Sequence, residues 1–282
     1  MEFIRIPRSQ RLFLKPPTQS TGWPSTFSWK RQFAAGDWIG PRSARVHTAP
    51  QMICLVELPG VVGYADGLRL QHERVTARKA GDIPDILLLL EHPPVYTLGR
   101  NANRANILFS PDRLQSLGAE VYETDRGGDV TFHGPGQLVG YPILDLTRHK
   151  RDLAWYMHSL EEVFIRVAGE FGIDAQRTAG ARGVWIGNDK LVAMGVHVSR
   201  WVTSHGFAFN INTDLRFFDW IVPCGLHGKG VTSLQKLLGR QIHMSVVADR
   251  VIRHFGDVFG MEMKRPEQSL IVSGQQAGAV HL

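Results

Sequence analysis

Ile86-Leu87-Leu88-Leu89-Leu90-Glu91-His92-Pro93-Pro94 is the stretch from which the fold of this chain is read. Five consecutive aliphatic side chains leave no polar face, so the run predicts a buried strand, and the prolines after it enforce a sharp turn. Upstream, residues 52–58 read as another strand, and Tyr64, Leu68, Gln71 and Val75 recur at helical spacing. Downstream, Ser110-Pro111-Asp112 has the cap-then-proline order that opens a helix, with Gly118 as its stop. Asp152 caps the strongest helical pattern, in which Leu153, Met157, Leu160, Phe164, Val167 and Phe171 recur at three and four before Gly172. Short strands are predicted over 183–187, 190–198 and 205–211, and an amphipathic helix over about 245–259. Strands and helices mix without a strand–helix–strand rhythm, which predicts an α+β fold rather than a doubly wound sheet.

Composition narrows the function. The 282 residues are 43% hydrophobic, enough for one substantial core, and no apolar run is long enough to span a membrane. The net charge of +6 is carried by the first fifty residues, which hold eight Lys/Arg against two Asp/Glu. Residues 51–282 are neutral overall, which argues against a nucleic-acid partner. Residues 1–51, with Pro16-Pro17, Pro24 and Pro41, read as a basic, disordered extension. Their arginine-rich, acid-poor composition also fits an organellar transit peptide, and Met52 offers an alternative start. Residues 52–262 are expected to form the catalytic domain and 263–282 a mobile tail. Two cysteines in different settings imply no disulfide framework and favour a reduced, intracellular enzyme, cytoplasmic unless the extension is a transit peptide.

Three motifs carry candidate chemistry. Cys224 stands between Pro223 and Gly225, on a defined bend from which a thiol can reach a cleft, whereas Cys54 lies in an apolar strand and reads as a core filler. Arg126-Gly127-Gly128-Asp129-Val130-Thr131-Phe132-His133-Gly134-Pro135-Gly136-Gln137 packs four glycines and a proline into twelve residues. Gly127-Gly128 would let backbone approach a ligand, and the following turn would present His133; the same segment also fits a plain glycine-rich hairpin connection. It is neither a phosphate loop nor a dinucleotide fingerprint. Lys190 follows the turn Gly187-Asn188-Asp189 at the start of a strand. A lone lysine at a turn is ordinarily solvated, but beside a thiol it stabilises the thiolate or takes its proton.

Five stretches together resemble one family. They are Leu90–Gly99, Arg126–Gln137, Lys190–Gly195, Ser204-His205-Gly206-Phe207-Ala208-Phe209-Asn210 and Pro223-Cys224-Gly225. In order and spacing, from about residue 52 to 260, they resemble the octanoyltransferases of lipoate biosynthesis. Departures are the long N-terminal extension and Phe207, where leucine is common. The resemblance implies a mixed central sheet flanked by helices, as in the catalytic domains of biotin and lipoate protein ligases. It implies transfer of an octanoyl group from octanoyl-acyl carrier protein to a lysine of lipoyl domains or the glycine-cleavage H protein. It further implies Cys224 as the acyl-thioester nucleophile and Lys190 as the residue that lowers its pKa. Arg126, Gly127, Gly128, Asp129, Val130, Thr131, Phe132 and His133, with Ala193, Met194 and Gly195 and with Gly206, Phe207 and Ala208, match the substrate-holding stretches. No metal or other cofactor is expected, and the protein is expected to be a monomer.

The chemistry agrees with these roles. Thiolate attack on a thioester is nearly balanced, and aminolysis by a lysine is downhill, so no nucleotide is needed. Both steps pass through an oxyanion, for which backbone amides around Gly195 are candidates. An octanoyl chain contributes roughly 5 kcal/mol on burial, and Val130, Phe132, Ala193 and Phe207 are candidate walls. Arg148-His149-Lys150-Arg151 is a candidate steering patch for acidic carrier proteins. Two other readings are an ATP-dependent lipoate or biotin ligase on the same fold, and a non-catalytic binder of acyl groups or nucleic acid.

Overall fold

The computed structural model describes residues 52–116, 118–222 and 228–266. The expectations for residues 1–51, the bend at Pro223-Cys224-Gly225 and residues 267–282 lie outside the described residues. The chain opens with β1 (Met52–Val61), α1 (Tyr64–Ala80), β2 (Asp85–Glu91) and β3 (Val95–Leu98). Then come α2 (Pro111–Ser116), β4 (Glu120–Glu123), β5 (Val130–His133), β6 (Gln137–Ile143) and α3 (Leu153–Gly169). Next are β7 (Gln176–Thr178), β8 (Ala181–Ile186), β9 (Asp189–Ser199) and β10 (Val202–Asn210). A 3-10 turn at Leu215–Trp220 precedes β11 (Gly230–Val231), α4 (Leu234–Leu238), α5 (Met244–Phe259) and β12 (Met261–Lys264).

Among the described residues the main sheet runs β12-β1-β2-β6-β10-β9-β8-β7, with β11 beside β9. β1 is parallel to both β12 and β2, whereas β2, β6, β10, β9, β8 and β7 alternate antiparallel. A second sheet has the order β4-β3-β5. The expected α+β fold with a mixed central sheet and flanking helices is what forms. The aliphatic run of β2 explains the layering. Leu87 and Leu89 face the core under α3 and α5, while Ile86, Leu88 and Leu90 face the layer under α1. A strand buried on both faces needs apolar residues at every position.

Element ends differ from the sequence reading where local chemistry intervenes. α1 runs on to Ala80 and stops at Gly81, whose φ of 85° suits glycine. Asp152 does cap α3, accepting a hydrogen bond from the Trp155 N–H at 3.0 Å, but the helix ends at Gly169 rather than Gly172. The expected tail loses its first residues to β12, where Met261 to Lys264 pair with Met52 to Leu55. His149 is turned inward and bonds Asp85 at 2.8 Å, so the Arg148–Arg151 patch lacks one of its four side chains.

One irregularity shapes the site. Pro142 lies in the central strand β6, where it offers no N–H to the neighbouring strand. The register Phe207↔Gly140 places His205 opposite this proline. Here β10 turns: His205 takes φ 53°, and its N–H leaves the sheet to bond Gln71 Oε1 of α1 at 2.8 Å. Gly206 is required beside it, because a Cβ there would stand 2.2 Å from the Gly140 carbonyl oxygen and 2.5 Å from Pro142 Cδ.

Candidate active site

A cavity lies between the main sheet, α1 and the second sheet. Its walls include Tyr64 of α1, then Arg126, Gly128, Asp129, Thr131 and His133, and the facing stretches Ala193–Gly195 and Gly206–Ala208 of β9 and β10. Lys190, the second residue of β9, lines it too. Its side chain is only 9% exposed, with the ammonium 4.7 Å above the Trp185 ring, so it is not the solvated turn lysine of the ordinary case.

The glycine-rich loop approaches so closely because Gly195 and Gly99, on which it packs, carry no Cβ. Gly127 N–H bonds the Val196 carbonyl at 2.9 Å along the edge of β9 that β8 leaves uncovered. A Cβ on Gly195 would stand 2.7 Å from the Gly127 carbonyl oxygen, and one on Gly99 2.3 Å from that of Gly128. Arg126 is a buried clasp for this loop. Its guanidinium donates to Thr97 Oγ1, to the Thr97 carbonyl at 2.6 Å and to the Asp129 carbonyl at 2.7 Å. The Asp129 carboxylate accepts from the Asn103 and Val130 N–H groups, fixing the far side of the loop.

Strand alternation divides the residues of β5. Thr131 and His133 line the cavity. Val130 and Phe132 point the other way, into a cluster with Tyr96, Leu114, Phe218 and Ile221. They are therefore not walls of this cavity. They support the 3-10 turn that leads toward Cys224, which Tyr96 also holds through a hydrogen bond to the Phe217 carbonyl at 2.7 Å. Phe207 contributes backbone to the cavity, while its ring lies on the α3 side against Phe164, with centroids 4.5 Å apart. On the far side of the undescribed segment, Gly230 and Val231 pair with Asp189 and Lys190.

Histidines and tyrosines form the α1 side of the site. His92 Nδ1–H donates to the Val62 carbonyl at 2.7 Å, leaving Nε2 to accept from the Tyr141 hydroxyl at 2.7 Å. Gln137 donates its amide to Phe132 and Asn210 oxygens, so its Oε1 accepts from His133 Nδ1–H at 2.8 Å. Burial, with His92 nearby, lowers the His133 pKa to about 3. Burial also pushes the Tyr64 hydroxyl up to about 12 and the Tyr141 hydroxyl well above its ordinary value. These rings are neutral hydrogen-bonding groups at pH 7. Cys54 is fully buried and burial pushes its thiol well up, as a core filler requires.

His205 was not singled out from the sequence. It is 4% exposed, and its Nε2 lies 2.7 Å from Asp125 Oδ1, while Asp125 Oδ2 lies 3.0 Å from His197 Nδ1. Pro142, set within an apolar run, was the available signal for the backbone turn that delivers it.

This fold is shared with lipoate protein ligases of known structure. The family described as the lipoyl protein ligase A/B catalytic domain matches residues 63–256, and the chain belongs to that family. An octanoyltransferase of Caldicellulosiruptor bescii is 52% identical over 206 residues, covering 72% of this chain and 90% of the relative. One of Solibacter usitatus is 51% identical over 210 residues, covering 74% and 94%. The expectation of an acyltransferase is thereby met. A lipoate-protein ligase A solved with ATP superposes with a TM-score of 0.62 at 14% identity, covering 77% of this chain and 90% of that one. A bipartite lipoate protein ligase from Thermoplasma acidophilum gives 0.61 at 14%, covering 76% and 86%. At that identity the two solved structures speak for the fold alone.

Proposed function

We propose that this protein transfers the octanoyl group from octanoyl-acyl carrier protein to a lysine of lipoyl domains, among them the glycine-cleavage H protein. The transfer runs through an octanoyl thioester on Cys224. The observation that carries the reading is half-identity with octanoyltransferases over nine-tenths of their length, joined to a cavity where Lys190 sits beside the backbone of Ala193–Gly195. An ordinary thiol has a pKa of about 8.5, and an adjacent ammonium raises its thiolate fraction. The Cys224 thiolate attacks the donor carbonyl, the carrier thiol leaves, and the acceptor amine then displaces Cys224 to give the amide. Backbone N–H groups around Gly195 serve the oxyanion in this reading. Arg126 and Asp129 act by holding the glycine loop in place. The catalytic unit is residues 52–262, working in the cytoplasm, or in the mitochondrion if the basic extension targets it.

Intact-mass measurement after mixing with octanoyl-acyl carrier protein tests this without ATP. A hydroxylamine-labile octanoyl adduct is expected, retained in Cys54→Ala and lost in Cys224→Ala. A stable adduct on Cys224→Ala, or a requirement for ATP, overturns the reading; the latter favours a ligase.

A further inference from the structure

The transfer has a proton left over. An acceptor lysine arrives as an ammonium, with an ordinary pKa of about 10.4. One proton must leave before the nitrogen lone pair can attack. A second leaves the nitrogen as the tetrahedral intermediate collapses, when the C–S bond breaks and the departing sulfur is reprotonated. The second proton ends on sulfur and the first must reach solvent. In the transfer reading Lys190 serves the sulfur and so suits the second, and the first needs another acceptor with a route outward.

His205 stands where such a group is needed. It lines the cavity that holds Lys190, and it also lines a second cavity of about 470 Å³ between α1 and the β9–β10 hairpin. That second cavity carries Gln71, His72, Glu123, Asp125 and Ser204, and its rim is exposed at His72, Glu123 and Asp125. The ring reaches this junction only because the backbone turns. Thr203 and Phe207 face α3, where Thr203 Oγ1 bonds the Pro142 carbonyl and Phe207 packs on Phe164. Strict alternation would send His205 to that side as well. Its φ of 53° instead sets the ring beside Tyr141 and Asp125. A positive φ costs a residue with a side chain free energy and persists where the surroundings enforce it, often at functional sites.

The ring's tautomer fits the task. Nε2–H donates to Asp125, which leaves Nδ1 with a lone pair and no partner among the described residues. Facing the ring are Asp125 and Arg126 from the loop, His197 from β9, Tyr141 from β6 and Gln71 from α1. Burial holds its pKa below the ordinary value, against the pull of Asp125, so the imidazole is neutral at pH 7. Resting on the transfer reading above, we propose that His205 Nδ1 takes the first proton from the incoming lysine ammonium. Asp125 steadies the imidazolium, which then releases that proton to solvent through the second cavity. Asp125 is a positioning residue here.

Half-reactions measured separately test this. His205→Asn keeps a residue that accepts positive φ, and His205→Gly removes both ring and strain. In both variants, aminolysis of the octanoyl-enzyme by a lipoyl domain should fall about a hundredfold. Formation of the octanoyl-enzyme should fall at least tenfold less than aminolysis. Added imidazole should restore aminolysis in His205→Gly in proportion to its concentration. Asp125→Asn should shift the rising limb of the aminolysis pH profile to lower pH and reduce its plateau, since the imidazole becomes a weaker base. Equal losses in both half-reactions, or a folded His205→Gly without imidazole rescue, overturns the assignment. Failure of the unaltered protein to form any Cys224 adduct overturns the transfer reading itself, and this assignment with it.

Discussion

At the scale of single residues, the site is built from groups kept neutral. His133 is the clearest case, with a folded pKa of about 3 against an ordinary value near 6.5. Between those values the unfolded chain binds more protons than the folded one, so stability is full above pH 6.5 and falls as pH drops. At pH 5, His133 alone should cost about 2 kcal/mol relative to pH 7.5. Urea midpoints at the two pH values measure this, and His133→Asn should flatten the dependence by about that amount. An unchanged dependence would mean that the ring is not held neutral. Some residue-level chemistry was legible in the sequence. Cys54 in its apolar run is the core filler it was read to be. The division of β5 was missed: Val130 and Phe132 stand among the expected walls, although period-two alternation separates them from Thr131 and His133 once the strand is recognised. His149 was not, because its partner Asp85 lies 64 residues away and no local pattern joins them.

At the scale of elements, β6 and β10 are matched shape to shape. A Cβ on Gly140 would stand 2.0 Å from the Phe207 ring, which is itself pressed against Phe164. Gly140→Ala should therefore destabilise the protein by about 1–3 kcal/mol through overpacking. Phe207→Leu should relieve part of that loss, so the two changes together should cost less than their sum. Additive free energies in chemical denaturation would refute the contact. The elements with long, strong periodicity, α3 and α5, were read correctly from sequence because one apolar stripe against the sheet dictates them. The start of β10 was missed. A reading based on alternation has no place for a strand that turns at His205 to pass a proline, so the predicted strand began there instead of at Val202.

At the scale of the whole molecule, the five motifs are scattered over more than a hundred residues, and the sheet order gathers four of them. β5, β9 and β10 bring the glycine loop, Lys190 and the Ser204–Asn210 stretch around one cavity, and β3 carries the Leu90–Gly99 stretch behind the loop, where Thr97 holds Arg126. Their spacing was readable in the sequence, but which side chain faces which wall depended on pairings no linear pattern records. A protein beginning at Met52 should retain near-normal octanoyl transfer, measured by mass shift of the lipoyl domain. If it folds but no longer engages the carrier protein, the basic extension is a docking element. The pairing of β1 with β12 has one more effect. Met52 lies opposite Met261, and Leu55 opposite Lys264, so the two ends of the described unit run side by side. Adjacent ends are the condition under which a domain tolerates having its chain order rewired. Because β1 and β12 run parallel, a crossover linker of about a dozen residues could carry the chain from Lys264 back to Met52, and the chain could be opened instead at the exposed Gly172–Asp174 turn without separating any paired strands. The order in which these residues are synthesised is thus separable from the surface on which they act.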